Sequence, residues 1–492
     1  MKVTIQKAKD GEETALVDNH FLHSNYSPIK EAERFTQSLL LPYQASIIII
    51  TEPALAYIVP SLKKRFPDAK IGAIRYCDSF NNYNKAFDFV LNYYEHQDFE
   101  AYLESLFTEE QLLNTFFTPW TPSSQVFNEI DKEVWTCIKN ALYRSKTLLI
   151  TRQYFEKKWF LNSINFFTCC KNIINFPQLI NKDILIISSG PSLIPFIDFI
   201  KANQNKFFIL CLSSAITVCI KNGIIPDLCM STDGGYWANE HLKLLYKNQI
   251  PLALPAEGYC KKSLLSKLKV LPLNYGDGFS NDLFEVCKLK SVKASRNGTV
   301  SGTALLFAAN YFSKNIYFCG LDLACQKGFQ HSQPNQLELN AVSFDNRIKT
   351  KSLRLFRSEL TNDSLEIYKN WFINNPLKLD GRKVYRLIEE KDRRNSLKWI
   401  EDISLSEFTK LSEKLPSTDK SQFDFETVNI QKDKILDLLN NENNTENFKK
   451  EIFPLDFVQL SHDRENIQII EKINNEWNKL KNKAENILNA NL

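Results

Sequence analysis

Residues Asp183–Leu193 read DILIISSGPSL, and residues Thr299–Ala324 read TVSGTALLFAANYFSKNIYFCGLDLA. In the first stretch the apolar run Ile184–Ile187 predicts a buried strand, and Ser188–Ser189–Gly190–Pro191–Ser192 predicts the turn into a helix beginning near Leu193. In the second, Ser301–Phe312 predicts a helix and Asn315–Cys319 a further strand, which delivers Gly320–Leu321–Asp322 to its carboxyl end. The order strand, turn, helix, strand predicts a parallel sheet with helices on its faces. Between the two stretches the pattern repeats. Phe207–Leu212 predicts a strand ending in Ser213–Ser214, and Pro226–Asp227 leads into Leu228–Thr232, with Asp233–Gly234–Gly235 just beyond. Polar residues thus recur past strand ends, the edge where open parallel sheets bind ligands, so Ser192, Ser213, Thr232 and Asp233 are expected around one pocket.

The Gly190–Ser192 turn has two readings. Backbone N–H groups at a helix start, a glycine permitting close approach and serine hydroxyls alongside would suit a phosphate. Alternatively it is a tight strand-to-helix turn with Ser192 as helix cap.

Working outward, residues 1–165 alternate strand and helix signals, with Ala45–Ile50 and Ile71–Tyr76 as strands and Ala54–Phe66 as a helix. This predicts a smaller Rossmann-like α/β domain with a helical linker. Its turn Thr51–Glu52–Pro53 lacks the glycines that admit a cofactor phosphate, so a scaffold or acceptor-docking role is favoured over cofactor binding. Residues 166–390 form the predicted catalytic α/β domain, including a helix over Ser352–Asn374, and residues 391–492 a helical C-terminal domain with amphipathic patterns in Val428–Leu439 and Asn466–Leu488.

The 492 residues allow about three domains, and 43% hydrophobic content is ordinary for well-buried cores. A formal charge of only +4, with both signs interspersed, excludes a broad nucleic-acid-binding field. Lys349, Lys351, Arg354 and Arg357 fit a solvated helix face better than a basic groove. Eleven cysteines, several inside apolar runs and none in a C-x-x-C spacing, read as reduced core thiols rather than a disulfide framework or zinc site. The opening MKVTIQKAKDGEE has no apolar signal core, and neither Ile47–Ile50 nor Phe207–Ile220 predicts a membrane span, so a cytoplasmic location without membrane insertion is expected.

The ordered combination of Gly190–Leu193 (GPSL), Pro226–Gly235 (PDLCMSTDGG), Gly298–Ala304 (GTVSGTA) and Ile316–Ala324 (IYFCGLDLA), with His331 soon after, resembles the Maf proteins, motility-associated transferases that glycosylate flagellin. Asp18–Phe35 (DNHFLHSNYSPIKEAERF) and Phe155–Asn162, with Lys158–Trp159, are similar to that family's opening and to the segment leading into its central domain. The central blocks also resemble bacterial sialyltransferases that use CMP-activated nonulosonic acids. That resemblance implies a sialyltransferase-like central domain in which Gly190, Pro191, Ser192, Ser301, Gly302 and Thr303 hold the nucleotide. Together the resemblances imply transfer of a pseudaminic or legionaminic acid from a CMP-sugar to Ser or Thr of flagellin. Three departures stand out: Leu321 replaces a glutamine frequent in the family, Ser188–Ser189 stand where smaller residues are common, and after Trp371 the chain reads VYRLIEEKDRRNSL from Val384 instead of an Asn-Thr-Gly-rich phrase.

Such a transfer needs phosphate stabilisation, shape around the sugar and a base for the acceptor hydroxyl. The central domain has no D-x-D motif, so no metal and no further cofactor is expected. His331, in a polar loop nine residues past Asp322, is the expected base. Its alternatives are a surface histidine, with His241 as rival. Asp322 is either catalytic or a loop-bonding group, Asp233 is placed to touch nucleotide or sugar, and Tyr236 and Trp237 are either a stacking face or core. Two other functions compete with the transferase: an ATP-dependent enzyme like 6-hydroxymethylpterin diphosphokinase, and a non-catalytic sugar-nucleotide or flagellin-binding accessory protein.

Overall fold

The computed structural model describes residues 3–41, 45–325, 328–360, 363–389, 396–429 and 432–490. The fold is mixed α/β and packs as two units. Residues Met1–Glu156 and Lys449–Asn478 make the first, Lys157–Phe448 and Lys479–Leu492 the second.

In the first unit, β1 (Val3–Lys7), β2 (Glu13–Val17) and β3 (His20–Phe21) form a small antiparallel sheet. Strands β4 (Ile47–Thr51), β5 (Lys70–Arg75), β6 (Phe89–Asn92) and β7 (Thr115–Pro119) form a parallel one in the order β6-β5-β4-β7. The sequence IIIIT of β4 is buried throughout, as expected for a parallel strand covered on both faces. Its glycine-free turn is filled by the protein itself. Glu52, Ala54 and Ala56 take positive φ, and the Glu52 carboxylate accepts from Arg75 Nη1 at 2.9 Å and from the Tyr76 N–H at 2.7 Å. Glu52 and Arg75 thus form a buried ion pair just past the carboxyl end of β4.

In the second unit an eleven-stranded sheet runs β17-β16-β15-β9-β10-β11-β12-β13-β8-β18, with β14 on β13. The strands are β8 (Asn172–Ile174), β9 (Ile184–Ile187), β10 (Phe208–Leu212), β11 (Leu228–Met230), β12 (Leu252–Pro255), β13 (Lys269–Asn274), β14 (Val292–Lys293), β15 (Ile316–Cys319), β16 (Val384–Leu387), β17 (Glu401–Ile403) and β18 (Phe425–Thr427). All pairings are parallel except β18 on β8. Strands β9, β10 and β15 are buried at every residue, and the helix Val300–Tyr311 packs against all three, contributing Ala304, Leu305, Phe307 and Ala308 to the core.

From β9 the chain winds one way through β10 to β13, then crosses back so that β15 pairs with the other side of β9. The topological switch point lies between β9 and β15, and ligands of open α/β sheets bind outside the carboxyl ends of such strands.

Two sequence expectations change. The helix after Pro191 begins as a 3-10 helix, Pro191–Phe196, before the α-helix Ile197–Asn203, because Pro195 interrupts the ladder. Residues 391–492, read as one helical domain, are divided: β17 and β18 extend the central sheet, while Lys449–Asn478 packs within the first unit. The helix expected over Ser352–Asn374 is recorded as Lys351–Leu360 and Asp363–Asn374, with residues 361–362 outside the described residues. Arg354 makes ion pairs with Glu338 at 2.7 Å and Asp345 at 2.9 Å, and the side chain of Arg357 lies outside the described residues.

Candidate active site

The turns after β9 and β15 lock onto each other. Gly190 N–H donates to Gly320 O at 2.8 Å, Ser192 N–H donates to Asp322 Oδ2 at 2.8 Å, and the Ser192 hydroxyl donates to Asp322 Oδ1. A Cβ at Gly190 would lie 2.5 Å from Gly320 O and from Asp322 Cγ, and one at Gly320, with φ +76°, would lie 2.4 Å from Ser188 O. Both glycines are therefore required by the approach of the two turns. This corrects the phosphate-cradle expectation for Gly190–Ser192, since its donors are spent inside the protein. It also makes Asp322 a loop-bonding residue. Arg386 supports the β15 turn, donating from Nη1 to Leu321 O at 3.3 Å while it grips Asp402 with two further bonds. That arginine comes from the stretch after Val384 where the chain departs from the Maf pattern; residues 390–395 of it lie outside the described residues.

The amino end of the helix Val300–Tyr311 lies beside the same switch point. Thr299 caps it, its hydroxyl accepting the Gly302 N–H at 2.9 Å. Ser301 Oγ lies 3.3 Å from Ser188 Oγ, which places two hydroxyls beside a helix amino end, an arrangement suited to an anion. Gly302 and Thr303 play supporting parts: a Cβ at Gly302 would strike the Asn297 amide at 2.1 Å, and Thr303 is buried with its hydroxyl donating to Ser295 O.

One strand over, Ser214 Oγ donates to Ser189 Oγ at 2.8 Å, and Ser189 Oγ lies 2.7 Å from His331 Nδ1. Asn335 fixes the His331 loop to this edge, donating to Ser214 O at 3.0 Å. With Ser189 accepting from Ser214, its own hydrogen can go to His331 Nδ1, a tautomer in which the neutral ring carries its proton on Nε2. In that tautomer His331 presents an N–H, and in the other a bare Nε2 suited to a base; the direction of the Ser189–His331 bond depends on which is present. Burial holds its pKa below the ordinary histidine value.

His241, on the short helix Ala238–Leu242, faces the same region. It is buried, its pKa is lowered to about 4 by burial and then by the charge of His331, and its Nδ1 has no hydrogen-bond partner among the described residues. Ser231 Oγ and Ser332 Oγ are likewise buried and unpartnered there. Ser213 is buried beside Ser214. Thr232 and Asp233 follow β11, where Asp233 Oδ1 accepts from Gly235 N–H at 2.8 Å and Asp233 O accepts from Tyr259 N–H at 2.9 Å. No hydrogen bond among the described residues joins Asp233 to His331. Tyr236 and Trp237 are 62% and 55% exposed, which makes them surface residues rather than core.

Sequence reasoning missed Ser189, Ser214 and Asn335 as a set supporting His331. It also missed Glu257, Tyr275 and Arg296 at the ends of β12 to β14. The rule that found Asp233, a polar residue just past a parallel strand, would have flagged Glu257 in PAEGY. No group of three or more His, Cys, Asp or Glu among the described residues is arranged to hold a metal ion, and no helix among them is long and apolar enough to cross a membrane.

The sheet order and its crossover define a doubly wound α/β protein. Comparison with known proteins narrows this. Residues 159–328 match the family described as 6-hydroxymethylpterin diphosphokinase MptE-like. The chain is 28% identical over 320 residues to an uncharacterized protein of Treponema pallidum (strain Nichols), covering 63% of this chain and 69% of that protein. The fold is similar to that of the Maf glycosyltransferase from Magnetospirillum magneticum AMB-1, with a TM-score of 0.52 and 13% identity over 99% of this chain and 90% of the other. At that identity the likeness is one of fold.

Proposed function

We propose that this chain is a glycosyltransferase that moves a sugar from a nucleotide-activated donor to a hydroxyl acceptor. The observation that carries the reading is the fold likeness to the Maf glycosyltransferase over 99% of the chain, where the family model for the diphosphokinase class spans only residues 159–328. Following the motif resemblance, the donor is a CMP-linked nonulosonic acid of pseudaminic or legionaminic type, and the acceptor is Ser or Thr of flagellin. The Ser188 and Ser301 hydroxyls and the amino end of Val300–Tyr311 hold the phosphate, and the His331 Nε2–H donates to the charge that develops on it as the sugar departs. Gly190, Ser192 and Asp322 shape the crevice without touching the donor.

A second reading, diphosphoryl transfer from ATP, is favoured by the family match over residues 159–328. Calorimetric titration with CMP and with Mg-ATP separates the two, alongside mass spectrometry of flagellin incubated with protein and CMP-nonulosonic acid in excess chelator. CMP binding and a mass gain of one nonulosonic acid on Ser or Thr are expected. Mg-ATP binding with no CMP binding and no adduct would overturn the transferase reading, and flagellin association without any adduct would favour the accessory one.

A further inference from the structure

Trp159 and Asn162, both on the helix Asn128–Cys169, hold the Asp233–Trp237 turn that follows β11. Asn162 Nδ2 donates to Gly234 O at 3.0 Å and to Glu257 O at 2.9 Å, which ties the turn after β11 to the one after β12. A Cβ at Gly234 would lie 2.6 Å from Trp159 Cδ1, so a glycine is needed for the indole to pack there. Arg296 backs that indole, its guanidinium 5.6 Å from the Trp159 ring centroid while it pairs with Glu257 at 2.9 Å. Tyr259 N–H donates to Asp233 O at 2.9 Å and closes the turn from the other side.

From this fixed backbone the turn presents two rings to solvent. Tyr236 and Trp237 are both exposed, with centroids 5.7 Å apart and planes nearly perpendicular, and Tyr259 lies 5.8 Å from Tyr236. Of the seven tryptophans in the chain only Trp237 is exposed, and among the described residues no other two exposed aromatics are consecutive. The Tyr236 hydroxyl and the Trp237 indole N–H make no hydrogen bond among the described residues. Rigid rings with a polar end free are what binding surfaces use, because they bury much area on contact and lose little conformational entropy in doing so.

We infer that Tyr236 and Trp237, with Tyr259 beside them, bind the polypeptide of the acceptor on one side of the hydroxyl that receives the sugar. The inference rests on the transferase reading above. The turns after β11 and β12 stand two and three strands from β9, roughly 10–14 Å at the usual strand spacing. The attacking hydroxyl must lie at the anomeric carbon, next to the phosphate at Ser188 and Ser301, so an acceptor ending at that hydroxyl would stop short of the rings. An extended polypeptide advances about 3.3–3.6 Å per residue, and residues about two to four positions from the modified Ser or Thr reach them.

The test uses the full chain, CMP-nonulosonic acid and flagellin, with wild type, Y236A, W237A and Y236F side by side. Both rings are exposed, so the core is left intact, and CMP affinity within about twofold of wild type checks this. Y236A and W237A should each raise the KM for flagellin about tenfold, with kcat at saturating flagellin and the KM for the donor little changed, and Y236F should keep the wild-type KM. Flagellin with glycine at the positions two to four residues from the modified Ser or Thr should show the same rise, and W237A should then add little to it. An unchanged flagellin KM in Y236A and W237A overturns the inference. A rise confined to the donor KM overturns it as well, because the rings would then hold the donor sugar. If wild type transfers nothing, the transferase reading falls, and calorimetry with flagellin alone decides for the rings. Binding about tenfold weaker in W237A than in wild type keeps them as the flagellin surface of an accessory protein, and equal or no binding overturns them.

Discussion

His241 is 5% exposed, neutral at ordinary pH and paired at Nδ1 with nothing among the described residues. Its pKa of about 4 lies below the unfolded value near 6.5, so below pH 6.5 the unfolded chain binds a proton that the folded chain refuses. The stability tied to this site is fully present above pH 6.5 and is lost as pH falls toward 4. A shift of that size corresponds to on the order of 3 kcal/mol in total, of which about 2 kcal/mol is lost by pH 5. Amide exchange in β10 and β11 should report that loss in wild type between pH 7 and pH 5, and His241→Asn should lack it. An equal pH response in both proteins would show that the ring titrates normally. At the same scale, the serines of GPSL and the histidine after GLDLA were legible as polar residues near one edge, but which hydroxyl donates to which depends on angles that no residue order encodes.

At the scale of elements, the helix Val300–Tyr311 starts where its sequence says it should. Thr299 is a favoured N-cap, and its hydroxyl takes the Gly302 N–H. Thr299→Ala should destabilise the second unit by about 1 kcal/mol and weaken CMP binding, since both depend on an ordered helix start, while Thr299→Ser should retain both. A Thr299→Ala protein of unchanged CMP affinity would remove this helix end from the nucleotide site. The strands were equally readable. ILII, FILCL and IYFC are short, apolar and buried on both faces, and such runs admit few other placements. The 3-10 start at Pro191 and the short edge strands β17 and β18 were not readable, because three-residue strands of mixed polarity form only when a neighbour offers its edge.

For the whole molecule, the decisive event is the return of Lys449–Asn478 to the first unit. Gln153 bonds the Leu455 N–H at 3.0 Å and Asp456 Oδ2 at 2.9 Å, the Ser461 hydroxyl donates to Asn114 Oδ1, and His462 Nε2 lies 3.1 Å from Leu113 O. A chain ended after Phe448 should therefore show faster amide exchange around Gln111–Asn114 and Gln153 than the full chain. Unchanged protection there would mean that the segment contributes little to the first unit.

The sequence by itself determined the parallel α/β core, the order of its central strands and the identity of the edge that carries polar residues, because strand burial and strand-to-helix turns are set by local composition and period. It did not determine what those polar residues do. The Gly190–Ser192 turn admits two readings from sequence, a phosphate cradle or a tight strand-to-helix turn, and in the fold Gly190 is room for the Gly320 and Asp322 turn while Ser192 is bonded to Asp322. Only the tertiary structure decided this, since a hydrogen bond across 130 residues between neighbouring strands depends on strand order in the sheet. The same holds for Glu257 and Arg296, 39 residues apart in the chain and 2.9 Å apart in the fold.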